Sequence, residues 1–386
     1  MGVILGVIFH FIGGFASGSF YIPYKKVKGW HWESFWIVGG LFSWLIVPPL
    51  AAWLTVPGFA EVIRQMDFTT LGLTFLFGVL WGIGGCTYGL GVRYLGVALG
   101  SSIILGLCMV FGSLIPSIYY DVYPKEGKDT FSMLTSSTWG QIVLAGLVVC
   151  VIAIIICGKA GVLKEKQLRL SDGNDPHGMK MRTEYKFGLG LFVAIISGVL
   201  SACFNFGLEA GKPMSDVVNE AWKVSHPVLA KQGEEFLFRN NVTYVVLLWG
   251  GLTTNFIWCM ILNARNRSFG DYVNRKTPLL RNYIFSALAG TTWFLQFFFY
   301  GMGESKLGNG ASSWILHMAF IILVANMWGI VLGEWKAVSK RTKTVIAIGI
   351  VTIIASVLLV GRGNQLHSKQ KDKEKDQNQV TLVGGR

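Results

Sequence analysis

The chain has 386 residues, of which 52% are hydrophobic and only 14% are charged, and its mean hydropathy is +0.50. Soluble domains carry about a quarter charged residues, so this composition excludes an ordinary soluble protein. The formal net charge of +13 does not indicate nucleic-acid binding, because most Lys and Arg residues flank long apolar blocks, where a membrane accounts for them.

The apolar blocks are long enough to be membrane helices, each of which needs about 20 residues to cross a hydrocarbon core of about 30 Å. Ten spans are predicted, and in chain order they are 3–24, 34–55, 69–92, 95–119, 138–158, 187–210, 241–264, 280–303, 310–333 and 343–361. No Lys or Arg precedes the first block, which is unlike a secretory signal peptide. We therefore predict an all-α polytopic membrane protein in which the first block is a membrane helix.

Polar residues collect between the spans. The longest polar segments are 159–186, predicted to be a cytoplasmic linker, 211–240, and the tail 362–386, whose mixed charge predicts disorder. Lys and Arg are more numerous in the loops after odd-numbered spans, which places those loops in the cytoplasm and both termini outside. The six cysteines lie in apolar blocks without CxxC spacing, which predicts small buried side chains and neither a disulfide framework nor a metal site.

One stretch of the sequence occurs twice. The segments "GVLWGIGGCTYGLGVRYLG" at 78–96 and "GTTWFLQFFFYGMGESKLG" at 290–308 agree at seven of nineteen positions, and the agreements include one Trp and one Tyr. Close packing of membrane helices favours glycine, which explains the matching glycines but not the matching aromatic residues. The match therefore indicates a duplication.

Two further matches follow in the same order along the chain. The segment "IGGFASGSF" at 12–20 pairs with "ISGVLSACF" at 196–204, and Gly146 pairs with Gly349. Three matches in one order indicate a duplicated unit of five helices, and the second copy enters the membrane from the opposite side because five is odd. Inverted repeats are typical of secondary transporters, which bind substrate near the midplane where the repeats meet. The predicted units are 1–158 and 187–361.

The duplicated helices carry aromatic and polar side chains on one face each. Trp81 and Tyr88 are seven residues apart, and Trp293, Gln296 and Tyr300 have the same helical spacing. Aromatic rings can cover the apolar face of a sugar, while phenol, indole and amide groups hydrogen-bond its hydroxyls. We predict that these five residues bind a neutral polar ligand; the alternative is interfacial or lipid-facing packing.

Few ionisable or amide side chains lie at membrane depth, where each is a functional candidate. His10, His317 and Glu209 are predicted to couple proton movement to binding, since imidazole titrates near neutral pH. The alternatives are a neutral imidazole satisfied by a neighbouring helix and a carboxylate that faces water at a helix end. Asn205 is predicted to contact the ligand, although amides also hold membrane helices together.

Other protein classes lack their sequence signatures here. The chain has no phosphate loop ending in GK[ST], no HExxH and no GxSxG, so no ATPase or hydrolase activity and no cofactor is predicted. It also has no arginine ladder or filter motif of a channel. An exporter, a proton-independent facilitator and a membrane sensor that binds sugar without moving it are the open alternatives. The expected partners are a small-molecule sugar, protons and membrane lipid, and the sequence leaves monomer and homo-oligomer open.

Four long blocks of the sequence carry a resemblance to a known family. They are "FYIPYKKVKGWHWESFWIVGGLFSWLIVP" (20–48), "FLFGVLWGIGGCTYGLGVRYLG" (75–96), "WFLQFFFYG" (293–301) and "SWILHMAF" (313–320). These blocks closely resemble the bacterial L-rhamnose–proton symporter family, which belongs to the drug/metabolite transporter superfamily and has ten helices in two five-helix repeats. The resemblance spans essentially the whole membrane portion.

The resemblance implies uptake of a 6-deoxy sugar, coupled to protons, across the bacterial inner membrane. His10 and His317 fall within or beside the matching blocks, so the resemblance supports a functional role for both. The chain departs from the family's enterobacterial pattern at Gly85 and Thr87, where that pattern has two Asn residues. Both positions lie on or beside the predicted binding face, so a related sugar or another small polar metabolite is the alternative substrate.

Overall fold

A computed structural model describes residues 2–95, 97–125, 128–171, 187–333 and 335–384. Within these ranges the chain forms helices, turns and bends, and no β-strand. All six cysteines lie in helices as free thiols. The all-α class predicted from the apolar blocks is therefore confirmed.

Ten long helices define the architecture. They are α1 (Gly2–Ser19), α2 (Trp32–Thr55), α3 (Phe68–Leu95), α4 (Val97–Val122), α5 (Thr138–Ser171), α6 (Phe187–Ala210), α7 (Asn241–Asn266), α8 (Leu279–Leu307), α9 (Gly310–Val331) and α10 (Lys340–Gly384). Among the described residues, nine helices are long and apolar enough to cross a membrane, and α8 is the long helix outside that set. Polar side chains such as Asn282, Gln296 and Glu304 interrupt the apolar residues of α8.

Two helices run past their predicted ends. The last part of α5, from 159 to 171, lies in the predicted linker and is helical because Ala, Leu, Lys, Glu and Gln are strong helix formers; residues 172–186 lie outside the described ranges. The tail predicted to be disordered from 362 instead continues α10 as far as Gly384. His367 of this extension is buried and stacks on Trp139, with 3.9 Å between the ring centroids. This packing, which composition does not reveal, stabilises the extension.

The long helices pack in pairs that recur in the two halves of the chain. Helix α1 lies against α8 and α9, and α6 lies against α3 and α4. Helix α2 contacts α8, α3 contacts α7, and α5 lies along α10. Each of these contacts joins one half of the chain to the other. If α1–α5 correspond to α6–α10, exchanging the two halves turns each contact into another one in this set, and the α5–α10 contact into itself.

Glycines bring helix backbones together at two equivalent places. A Cβ atom at Gly78 of α3 would lie 2.0 Å from the backbone oxygen of Leu247 on α7. A Cβ atom at Gly290 of α8 would likewise lie 2.0 Å from the backbone oxygen of Gly39 on α2. Neither position has room for a side chain, so close packing requires glycine at both 78 and 290.

Helices α5 and α10 contact each other reciprocally. A Cβ atom at Gly146 would lie 3.2 Å from the backbone nitrogen of Val360, and one at Gly349 would lie 3.3 Å from that of Cys157. Gly146 and Gly349 are 203 residues apart, and so are Cys157 and Val360. The same contact is therefore made twice with the roles of the two helices exchanged.

Candidate functional site

Two buried histidines face each other across α8. His10 of α1 and His317 of α9 have ring centroids 6.3 Å apart, and Tyr300 of α8 lies 5.3 Å from the first and 5.1 Å from the second. The side chain of His10 has this space because position 303 of α8 is glycine, where a Cβ atom would lie 2.7 Å from the imidazole Nε2. Helix α1 and the consecutive helices α8 and α9 thus bring together three of the predicted site residues.

The ring nitrogens of this pair lack protein partners. Both histidines are at most 1% exposed, and neither Nδ1 nor Nε2 of either ring has a hydrogen-bond partner within the described part of the chain. The side-chain nitrogen of Gln296, one turn before Tyr300 on α8, is buried without a partner as well. Because an unpaired buried polar group costs about 1–3 kcal/mol, these atoms fit a site that is completed by a polar ligand or by water.

Asn205 of α6 connects this group to helix α4. Its amide nitrogen donates to the backbone oxygen of Gly112 on α4 over 2.7 Å, and its amide oxygen lies 3.5 Å from the hydroxyl of Tyr300. Asn205 is thereby held in place between α4 and α8. The amide both holds helices together and contacts a predicted site residue, so the two interpretations of its role are compatible.

The two tryptophans of the similar segments lie side by side. The ring centroids of Trp81 on α3 and Trp293 on α8 are 5.6 Å apart. Trp44 of α2 lies edge-on to both, at 6.3 Å from Trp81 and 5.7 Å from Trp293, and its buried indole nitrogen has no hydrogen-bond partner among the described residues. The sequence analysis did not identify Trp44 as a candidate.

A π-helical segment at Leu41–Ile46 carries Trp44. Pro48 and Pro49 follow this segment after Val47. Because proline has no backbone N–H, the carbonyl four residues before each proline lacks its α-helical donor. The backbone N–H of Val47 bonds instead to the oxygen of Phe42, five residues back. Such segments are frequent at functional sites, so the two consecutive prolines were the available signal for Trp44.

Tyr88 is not brought to this site. It packs in a separate cluster with Leu95, Ile104 and Ala194, and its hydroxyl donates to Ser101 over 2.7 Å. The prediction that the faces of α3 and α8 lie opposite each other therefore applies to the tryptophans but not to the tyrosines.

A cavity of about 680 Å³ opens at the end of the protein where α4, α6 and α8 end. Binding pockets for small molecules commonly measure about 300–1,000 Å³. Asn205, Glu209 and Glu304 are among the residues that line this cavity. Because Asn205 also contacts Tyr300, the cavity reaches the edge of the buried site at Asn205.

Carboxylates and lysines alternate along the cavity wall. Glu209 accepts hydrogen bonds from Tyr120 over 2.7 Å and from Lys128 over 2.5 Å. Glu304 pairs with Lys212, with 2.6 Å between Nζ and Oε1. Burial and the neighbouring Lys212 lower the pKa of Lys128, although Glu209 opposes this shift. Burial also acts to lower the pKa of Lys212, but Glu304 and Glu209 outweigh it and raise that pKa.

The opposite end is held together by hydrogen bonds between the two halves. Asp271, in the turn after α7, accepts from the backbone N–H of His31 over 2.7 Å and from the hydroxyl of Ser34 over 2.9 Å. Glu33 accepts from Ser268 over 2.6 Å. Burial opposes ionisation of Asp271, but the hydrogen bonds from His31 and Ser34 outweigh it and lower the pKa of Asp271. These hydrogen bonds join the two halves of the chain at the end opposite the cavity.

Comparison with known proteins identifies the family. The family model described as L-rhamnose-proton symport protein (RhaT) matches residues 1–365. The chain belongs to this family. It is 35% identical over 366 residues to the L-rhamnose-proton symporter of Yersinia pestis (strain Pestoides F), and the match covers 94% of this chain and 98% of the relative. The L-rhamnose-proton symporter of Pectobacterium atrosepticum shows the same identity and coverage.

Family membership decides between the classes left open by the sequence. Members of the L-rhamnose–proton symport family are transporters, so the protein is a transporter and not an enzyme. The nine apolar helices make it a multi-pass membrane protein. The resemblance seen in the four sequence blocks is confirmed across the full membrane portion.

Proposed function

We propose that this protein imports L-rhamnose together with protons across the bacterial inner membrane by alternating access. The observation that carries this proposal is the 35% identity to proteins named L-rhamnose-proton symporters over 94% of the chain. The buried polar atoms and the adjoining cavity support a small polar substrate. Among the residues that the structure describes, no charged side chain is hydrogen-bonded to either histidine, which fits a neutral sugar.

The architecture proposed for this transporter is ten membrane helices in two inverted five-helix repeats. All seven helix pairings described above recur when α1–α5 are exchanged for α6–α10, which supports a pseudo-two-fold axis between the repeats. Helix α8 then spans the membrane although polar side chains interrupt its apolar residues, since polar residues in membrane helices are tolerated where they face the protein interior. Glu304 and Gln296 of α8 are both buried.

The sugar site is proposed to lie between the tryptophan pair and the histidine pair. Trp81 and Trp293 would cover the apolar face of the ring, and the free indole N–H of Trp44 would donate to a hydroxyl. Gln296, Tyr300 and Asn205 would supply the remaining hydrogen bonds. This combination of few polar groups on aromatic walls is usual for neutral ligand sites.

His10 and His317 are proposed to link the sugar to the proton. Their free ring nitrogens can each donate or accept, so they can bond sugar hydroxyls and exchange protons with them or with water. Glu209, which lies one turn beyond Asn205 on α6, is proposed as a further coupling residue at the cavity. With the loops after odd-numbered spans in the cytoplasm, the cavity faces outward, so sugar and protons enter from outside.

Tyr88 is proposed to contact the sugar only when the protein opens inward. The repeat relates Tyr88 to Tyr300, and alternating access exchanges the environments of the two repeats.

We expect Tyr300→Phe to raise the KM for uptake about tenfold, the size expected for one well-placed hydrogen bond, with the KM for efflux less affected. Tyr88→Phe should do the reverse. Uptake by right-side-out vesicles and by inside-out vesicles measures the two constants; equal effects of both variants on both sides would contradict the proposal.

Proton movement on addition of sugar tests the function. In lightly buffered, de-energised cells that express the protein, L-rhamnose should cause alkalinisation of the medium, because each sugar enters with protons. L-Mannose, which has a hydroxymethyl group where L-rhamnose has a methyl group, is the matched control and should cause less alkalinisation. Alkalinisation with another sugar and not with L-rhamnose would mean that the protein has a different substrate. The departures from the family pattern at Gly85 and Thr87 would then be the expected cause of the changed specificity. Sugar binding without alkalinisation would favour a sensor or a facilitator.

A further inference from the structure

We propose that Glu304 is the carboxylate that takes up the coupled proton from the cavity, and that Lys212 is a shared counter-ion that transfers from Glu304 to Glu209 when this happens. The proposal deepens the symport function above and rests on it. From the sequence, Glu304 is predicted only as an ionisable residue at membrane depth near a helix end, and Lys212 has no predicted role. The structure brings both to the cavity wall from separate elements.

Glu304 occupies a built site. The residue is 5% exposed, and its two carboxylate oxygens have different partners. Oε1 accepts from the Lys212 ammonium over 2.6 Å, and Oε2 accepts from the amide of Asn240 over 2.6 Å. The carboxylate also lines the cavity, so protons from cavity water can reach a group that is otherwise enclosed.

Lys212 stands between two carboxylates. It is hydrogen-bonded to Glu304, and its ammonium also interacts electrostatically with Glu209. Glu209 in turn interacts electrostatically with Lys212 as well as with its hydrogen-bonded neighbour Lys128. One cation therefore stabilises two anions, and neutralising either anion leaves the other as its partner.

Other charged groups set the balance at Glu304. Arg239, next to Asn240, and Lys128, from the loop after α4, also favour the carboxylate anion, while Glu209 on α6 opposes it. Tyr300 and Tyr244 are the titratable groups that face Glu304 from α8 and α7, and both are neutral phenols at physiological pH. The charges around Glu304 are thus mainly positive while it is an anion, and Glu209 remains as the anionic partner of Lys212 once Glu304 takes up a proton.

The proton step breaks one O–H bond and forms another. A hydronium ion in the cavity gives its proton to a Glu304 oxygen, an O–H bond forms, and water is left. Lys212 keeps its three protons and exchanges one carboxylate acceptor for another. Since Glu304 lies one turn beyond Tyr300, and Glu209 one turn beyond Asn205, movement of Lys212 acts directly above the Tyr300–Asn205 contact at the entrance to the buried site.

Separating sugar exchange from sugar accumulation tests the proposal in proteoliposomes. Exchange of labelled for unlabelled L-rhamnose at equal pH does not require release of the proton, whereas accumulation driven by an inward proton gradient does. Glu304→Gln mimics the protonated side chain, so we expect exchange within about threefold of the unchanged protein and accumulation reduced at least tenfold. Glu234→Gln removes a carboxylate at the cavity mouth that is paired with Lys306, and it should leave both activities unchanged.

Several outcomes would overturn the proposal. Accumulation by Glu304→Gln at the level of the unchanged protein excludes Glu304 as the proton carrier. If Glu304→Gln folds poorly, Glu304→Asp retains the carboxylate, and the proposal requires the pH of half-maximal accumulation to shift; an unchanged pH profile contradicts it. Failure of the unchanged protein to accumulate L-rhamnose would instead contradict the symport function itself, so the two failures are distinguishable.

Discussion

Replacing His317 by leucine is expected to leave the folded protein as stable as before, or more stable, while transport falls at least tenfold. The imidazole is 1% exposed and neither of its nitrogens has a protein partner. Leucine has a similar volume and no polar atoms, so it removes a desolvation cost of about 1–3 kcal/mol in the ligand-free state. It also removes a hydrogen-bond partner of the sugar, and each such loss costs about a factor of ten in affinity.

His10→Leu should behave in the same way, because His10 is equally buried and equally unpaired. Thermal unfolding in detergent measures the stability, and uptake of labelled L-rhamnose measures the transport. Asn205→Leu is the matched comparison, because its amide bonds to Gly112, and this change should reduce both stability and transport. Loss of stability in both histidine variants would show that the histidines serve only the fold.

Gly290→Ala is expected to destabilise the protein severely, by about 3 kcal/mol or more. The added methyl group would lie 2.0 Å from the backbone oxygen of Gly39, and overpacking of this kind cannot be relieved by a side-chain rotation. The intrinsic preference of helices for alanine, about 1 kcal/mol, is too small to compensate. Helices α2 and α8 would have to separate, and Trp44 and Trp293 would move apart with them.

Gly85→Ala provides the matched control for this effect. It lies on α3 beside the tryptophan pair, but a Cβ atom there would meet nothing within 4 Å. Alanine at this position should therefore maintain the midpoint of thermal unfolding or raise it slightly, while Gly290→Ala lowers the midpoint and the yield of folded protein. Equal effects of the two changes would mean that α2 and α8 do not pack as closely as described.

The sequence predicted the helices and the central tryptophan pair because both depend on patterns that a single chain displays. Apolar blocks mark membrane helices, and the repeated segments of α3 and α8 indicated that Trp81 and Trp293 are equivalent. The same match suggested that Tyr88 and Tyr300 share a site, which the structure does not support. A sequence match gives equivalence, but not the distance between equivalent residues.

Other features depend on contacts that no local pattern reveals. His367, in the part of the tail that continues α10, packs on Trp139, although the composition of this tail resembles that of disordered chains. Trp44 joins the site through the π-helical segment before two prolines. Lys212 pairs with Glu304 across 92 residues, and only the fold brings such distant charges together.

Accumulation of labelled L-rhamnose in proteoliposomes, with and without an imposed inward proton gradient, tests the central claim most directly. Proton-coupled import predicts that the sugar concentration inside exceeds that outside when the gradient is present. It also predicts that a protonophore abolishes this excess and leaves only equilibration. Equilibration at the same level with and without the gradient, in vesicles that contain folded protein, would contradict the coupling; no entry of L-rhamnose at all would contradict the substrate.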